Sequence, residues 1–170
     1  MSYFSRLIGL AYGMTDEEAN LLLLASSMHD VGKIGIPDSV LLKPMELDNN
    51  EWTAMKAHTT IGAEIIGNHN SVAFRMAKII ALTHHERWDG TGYPNGLRGE
   101  KIPFFGRIVA ISDVFDALTT VRPYKKAWSE EEAVEAIKMG SGSQFDPSLV
   151  PLFLDVVPVI KNMKKNFNNA

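Results

Sequence analysis

No cysteine occurs in the 170 residues, which excludes disulfides, thiolate zinc sites and thiol nucleophiles and leaves nitrogen and oxygen as metal donors. No apolar run approaches the ~18 residues that a membrane span requires, and the N-terminus lacks the basic stretch, apolar core and small-residue cleavage site of an export signal. The chain therefore reads as cytoplasmic. Excess positive charge is also missing. With 17 Lys and Arg against 20 Asp and Glu, a formal net charge of −3, no bulk field draws the chain to duplex nucleic acid, and any anionic ligand must be held locally. Convincing strand alternation, internal repeats and interior linkers are absent too.

What is present is a succession of helical patterns. One domain around a single core is the expectation at this length, and 45% hydrophobic with 22% charged residues is the ordinary balance of a globular protein. Ser2 to about Tyr12 reads as a first helix. Thr15-Asp16-Glu17-Glu18 has the form of a capping box, and Leu21, Leu24, Ala25 and Met28 follow at helical spacing, so His29 and Asp30 fall at that helix's end. Gly32, Gly35 and Pro37 then break regular structure. After a loop, Asp48-Asn49-Asn50-Glu51 is a second capping box, opening a helix through about Gly67 with Trp52, Met55, His58, Thr59 and Gly62 on one face.

A helix from about Ser71, with Val72, Met76, Ile79, Ile80 and Thr83, delivers His84 and His85 at its C-terminal end. A loop rich in Gly, Pro and Asn runs from Asp89 to Pro103. Ile108, Ile111, Phe115 and Leu118 then make Phe104 to Thr120 helical, with Asp113 and Asp116 on it. Ser129 to Glu132 caps another helix, Pro147 starts a last one, and the Asn- and Lys-rich end from about Lys161 reads as a tail. The expected fold class is all-α, a helical bundle, with one domain over 1–161 and a tail over 162–170.

The chemistry concentrates in few residues. His29-Asp30, His58, His84-His85 and Asp113 come from four helix ends or faces, and convergence of such donors on one pocket is how helical bundles build metal sites. Imidazoles suit terminal positions and carboxylates can bridge, so the set fits a cluster of divalent ions. Two such ions share a hydroxide, lower its pKa and screen charge on a phosphoryl group. The adjacent pair His84-His85 resists a packing explanation, because neighbours on a helix face different directions. His69, in Asn68-His69-Asn70, fits an ordinary polar turn better.

These words resemble the HD-GYP family, a branch of the HD phosphohydrolase superfamily. The matches are His29-Asp30-Val31-Gly32-Lys33-Ile34-Gly35-Ile36-Pro37, Leu41-Leu42-Lys43-Pro44, His58-Thr59-Thr60-Ile61-Gly62, His84-His85-Glu86-Arg87-Trp88-Asp89-Gly90-Thr91-Gly92-Tyr93-Pro94, Asp113-Val114-Phe115-Asp116-Ala117-Leu118, Arg122-Pro123-Tyr124-Lys125 and Phe145-Asp146-Pro147. They run in order over nearly the whole chain. The resemblance implies an HD-type bundle and a phosphodiesterase acting on the bacterial second messenger cyclic di-GMP, yielding linear pGpG and often GMP. It implies two or three Fe or Mn ions held by His29, Asp30, His58, His84, His85 and Asp113, with Asp30 bridging. Lys33 is expected beside the cluster, orienting the scissile phosphate or protonating the leaving oxygen, with a solvent-facing loop lysine as the plainer alternative. Arg122 and Lys125 correspond to contacts with substrate phosphates, and the Arg fork suits two phosphate oxygens. Two basic residues on a surface loop are also common in themselves. For Tyr93 three readings stand side by side: a stack on guanine, a contact to a diguanylate cyclase (GGDEF) domain, or a buried plug of its loop.

One departure from the family pattern is visible. A further histidine ligand of the family, counted back from His29, falls before Met1, and no histidine precedes His29 here. The expectation is a chain that begins within the family's first helix, with a receiver or sensor domain normally upstream. One metal position then keeps Asp30, His58, His84 and His85, and the other only His29, Asp30 and Asp113. The competing readings are a nucleotide-sensing or protein-interaction module of impaired activity, and an HD enzyme acting on another cyclic dinucleotide or nucleotide.

Overall fold

The computed structural model describes residues 1–121 and 127–168, with side chains to 162. Arg122 and Lys125 therefore lie outside the described residues. In chain order the elements are α1 (Ser2–Tyr12), α2 (Asp16–Ser26), a 3-10 turn (Val31–Gly35), α3 (Asp38–Leu41), α4 (Asn49–Lys56), α5 (His58–Ile66), α6 (Val72–Thr83), a second 3-10 turn (Gly99–Lys101), α7 (Phe104–Thr119), α8 (Glu130–Met139) and α9 (Leu149–Asn168). No strand forms among the described residues beyond an isolated bridge between Ser141 and Phe145, and the architecture is all-α. No described helix is long and apolar enough to cross a membrane.

Capping boxes open α2 at Thr15 and Glu18, α4 at Asp48 and Glu51, and α8 at Ser129 and Glu132. Each satisfies amide groups that a helix start otherwise leaves bare. The core sits between α1, α2, α6, α7 and α9. Phe115 is fully buried at its centre, edge-on to Phe4 of α1 at 5.8 Å and to Phe153 of α9 at 5.1 Å between ring centroids. Each such side chain contributes roughly 1.5–3 kcal/mol by leaving water.

The structure differs from the sequence pattern in four places. On α2 the buried stripe is Ala19, Leu22, Ala25 and Ser26, while Leu24 faces solvent. The segment after Asp30 is wound into the first 3-10 turn and α3. The helix expected through Gly67 is two helices joined at Ala57, which caps α4 and begins α5. There His58 Nδ1, Thr59 Oγ1 and Thr60 Oγ1 bond the carbonyls of Met55, Lys56 and Ala57 at 2.7, 3.0 and 2.9 Å, and side-chain donors of this kind compete with the helical ladder. Finally, α9 continues through Asn168, and Lys161 pairs with Glu130 and Glu131 of α8 at 3.6 and 2.5 Å.

Candidate metal centre

The first 3-10 turn lies against α5 at a distance that only glycine allows. A Cβ on Gly32 would stand 1.9 Å from the His58 carbonyl oxygen and 2.4 Å from the Gly62 nitrogen. This approach sets His29 and Asp30, at the end of α2, beside His58 at the start of α5. The C-terminal end of α6 brings in His84 and His85, and α7 brings in Asp113.

Asp30, His58, His84 and His85 each offer one ligand atom, all within 4.8 Å of one another. Asp30 Oδ1 is 3.4 Å from His58 Nε2 and 3.8 Å from His84 Nε2. Its other oxygen is 3.3 Å from His29 Nε2, which is in turn 3.6 Å from Asp113 Oδ1. Asp30 thus stands between two sets of donors, one with three further imidazoles and the other with His29 and Asp113.

The backbone fixes the tautomers. His29 Nδ1 lies 2.9 Å from the Ser26 carbonyl, His58 Nδ1 2.7 Å from that of Met55, and His84 Nδ1 3.0 Å from that of Ile80. A carbonyl oxygen only accepts, so each Nδ1 donates, and in a neutral ring Nε2 is left as a lone pair. His58 Nε2 and His84 Nε2 then confront each other at 3.4 Å. Beside them, Asp30 Oδ1 is buried without a hydrogen-bond donor. The only other such buried atom among the described residues, Arg107 Nε, belongs to a guanidinium lying over the rings of Trp88 and Phe104. Opposed lone pairs around an orphaned carboxylate oxygen are costly for protein alone and are what a divalent cation requires. The residues present fit a metal ion.

Burial pushes the His84 ring down to about 3 and the His85 ring down to about 4, and lowers His58 as well. These donors stay neutral near pH 7. Burial also acts to lower His29, but its bonds to Asp113 and Asp30 prevail and push it up to about 9. Asp30 and Asp113 are held below the usual carboxylate range despite burial, Asp113 by His29 and Asp30 by His29 and Lys33. Lys33 Nζ sits 2.5 Å from Asp30 Oδ2. Together with Asp113, Val114 and Leu118, these residues line a hollow of about 320 Å³.

Tyr93 packs on the His85 ring, with centroids 4.8 Å apart and planes at 31°. Its hydroxyl is pushed up by burial, and its amide donates to the His85 carbonyl at 3.2 Å. The Tyr93–Pro94 peptide is cis. The loop closes this tightly because Gly92 lies over the Glu86–Arg87 backbone, where a Cβ would be 2.4 Å from the Arg87 nitrogen. His69 lies apart from the cluster, accepting from the Ser71 amide at 3.0 Å and packing on Phe74. Two residues of consequence carry no sequence signal of their own. Glu86 is buried and accepts from the amides of Asn95 and Leu97 at 2.8 and 2.9 Å. Arg107 lies over the Trp88 ring at the start of the same loop and makes a 2.6 Å pair with buried Asp146, which accounts for the aspartate of the Phe145-Asp146-Pro147 word.

Residues 1–149 match the family model described as HD domain. The chain belongs to the HD domain family. Within it, this HD domain is of the HD-GYP type, with His29-Asp30 at the cluster and Gly92-Tyr93-Pro94 in the loop against His85. It is 48% identical over 153 residues to the 3'3'-cGAMP-specific phosphodiesterase 2 of Vibrio cholerae, covering 90% of this chain and 29% of that protein. It is 46% identical over 154 residues to the cyclic di-GMP phosphodiesterase response regulator RpfG of Xanthomonas campestris, covering 91% and 41% respectively. The chain thus spans less than half the length of these relatives. Among solved structures, an HDGYP protein of Bdellovibrio bacteriovorus superposes with a TM-score of 0.71 at 21% identity, over 92% of this chain and 50% of that one, and shares the fold.

Proposed function

We propose that this HD domain is a metal-dependent phosphodiesterase that hydrolyses cyclic di-GMP to linear pGpG, GMP or both. The observation that carries the reading is the orphaned Asp30 Oδ1 facing the Nε2 lone pairs of His58 and His84. Asp30, His58, His84 and His85 would hold one ion and His29, Asp30 and Asp113 a second, iron or manganese being the ions expected. When bound, such ions acidify a water molecule and screen charge on a phosphoryl group. Lys33 places a cation at the mouth of the hollow beside Asp30, where it orients a scissile phosphate or gives a proton to the leaving oxygen. Tyr93 keeps the His85 ring from turning. Arg122 and Lys125 belong to this reading as contacts to substrate phosphate. Diguanylate cyclase domains enter it as partners, and a receiver or sensor domain as the source of its signal.

A second reading, hydrolysis of 3'3'-cGAMP, is favoured by the 48% identity to a phosphodiesterase named for that substrate. Metal content and turnover of both dinucleotides, measured anaerobically on the wild-type chain and on Asp30→Ala, test the assignment. The variant is expected to lose metal and activity together while circular dichroism still reports a folded bundle, because Asp30 lies at the edge of the core. Unchanged metal content and turnover in Asp30→Ala would sink the reading. Preferential turnover of 3'3'-cGAMP would move it to the second substrate.

A further inference from the structure

A second, larger hollow of about 560 Å³, within the range typical of small-molecule sites, adjoins His85 without Lys33 or Asp113 in its lining. His85 lines both hollows. The outer wall of the larger one is α4, and α4 is unusual in this fold because none of its eight residues is buried. Its place is therefore not explained by the core. It presents Trp52 to the hollow with 48% of the residue exposed, and Lys56 also lines it.

The lining carries no carboxylate. Lys56 makes no ion pair among the described residues, and its Nζ stands 5.5 Å from the centre of the Tyr93 ring. Arg87 uses Nε on Thr91 at 3.0 Å and one terminal nitrogen on Asp89 at 3.4 Å, which leaves its other terminal nitrogen without a protein partner among the described residues. Asn49, Thr53 and Thr91 also line it. The hollow thus combines a half-exposed indole with two side chains that only donate.

We propose that this hollow is a guanine subsite, with Trp52 stacking on the base and Arg87 and Lys56 donating to its O6 and N7. The proposal rests on the phosphodiesterase reading, since the metal cluster behind His85 is where the attached phosphate is held. Guanine offers two adjacent acceptors on that edge, whereas adenine replaces one of them with an amino donor that faces the cations unfavourably. Stacking is indifferent to base identity, so Trp52 supplies affinity while Arg87 and Lys56 supply selection.

The test is calorimetric titration of the Mn(II)-loaded chain with GMP and with AMP, alongside metal analysis and turnover of cyclic di-GMP on the same preparations. Wild type is expected to bind GMP about tenfold more tightly than AMP. Trp52→Ala is expected to weaken both nucleotides by about tenfold, with metal content unchanged, and Trp52→Phe to restore most of the loss. Arg87→Met is expected to narrow the margin between GMP and AMP, by a greater loss for GMP than for AMP. Equal binding of GMP and AMP by wild type overturns the proposal, as does unaltered affinity in Trp52→Ala. An equal loss for both nucleotides in Arg87→Met also overturns it, because the cation then meets phosphate and not base. Absence of turnover with these affinity differences intact removes the phosphodiesterase reading and leaves the subsite standing.

Discussion

Glu86 follows the two histidines and is itself buried, with both carboxylate oxygens turned to the backbone of the loop it precedes. It does not reach the cluster, yet it decides where Tyr93 lies, because the Asn95 and Leu97 amides that it accepts are the next turns of the loop after Tyr93. Its role was not legible in the sequence, because the Asn95 and Leu97 amides that it holds are brought to it only by the folded loop. The ligand candidates stood out for the opposite reason: His84 and His85 are adjacent, and adjacent imidazoles at a helix end are harder to explain by packing. Glu86→Gln keeps the shape but turns an amide NH₂ toward a backbone N–H. We expect it to cost about 2 kcal/mol of stability from one charge-assisted bond lost and one donor left bare. Cyclic dinucleotide turnover should fall by about tenfold, as for other supporting residues around metal ligands. Thermal unfolding and steady-state kinetics check both. A variant with wild-type melting and turnover would show that the loop is held without this carboxylate.

Two elements meet at the cluster only because their backbones touch. Gly32 in the first 3-10 turn lies against His58 and Gly62 of α5, and the Cβ of an alanine there would meet backbone atoms that cannot swing aside. Gly32→Ala is therefore expected to force the turn away from α5, at a cost of about 1–3 kcal/mol or more from overpacking. It should lower metal affinity in step, since Asp30 and His58 sit on the two separated pieces. Metal titration with denaturant unfolding tests this, and retention of full metal affinity would show that the two pieces do not move as units. Helix order and most boundaries could be read from capping boxes and apolar spacing. The break at Ala57 could not, because it is made by three successive side chains, His58, Thr59 and Thr60, bonding back to carbonyls, and nothing in hydrophobic period reports such bonds. The face assigned to Trp52 failed at the same joint: once the helix turns there, His58 goes inward and Trp52 stays out.

For the whole molecule, the cluster ties folding to pH in two opposite senses. Residue order predicts that histidines and carboxylates converge, but not which rings are charged, since that depends on burial and partners visible only in three dimensions. His84 and His85 are pushed down to about 3 and 4 by burial. Below about pH 6.5 the unfolded chain takes up protons that these rings refuse in the folded state, so stability falls as the medium becomes more acidic. His29 behaves in the other direction, pushed up to about 9 between Asp113 and Asp30. Its contribution is fully present below about pH 6.5, where both states hold the proton, and is lost as pH rises through 9. The metal-free protein is therefore expected to be most stable near pH 6.5 and to weaken on both sides. In His29→Gln the alkaline decline should disappear while the acid decline remains. Divalent metal should also abolish the alkaline decline, because the cation replaces the proton on Nε2 and binds better as that proton leaves. Denaturant midpoints from pH 5 to pH 10, with chelator and with Mn(II), measure all three curves. An alkaline decline that persists unchanged in His29→Gln would show that His29 is not the group held between the two carboxylates.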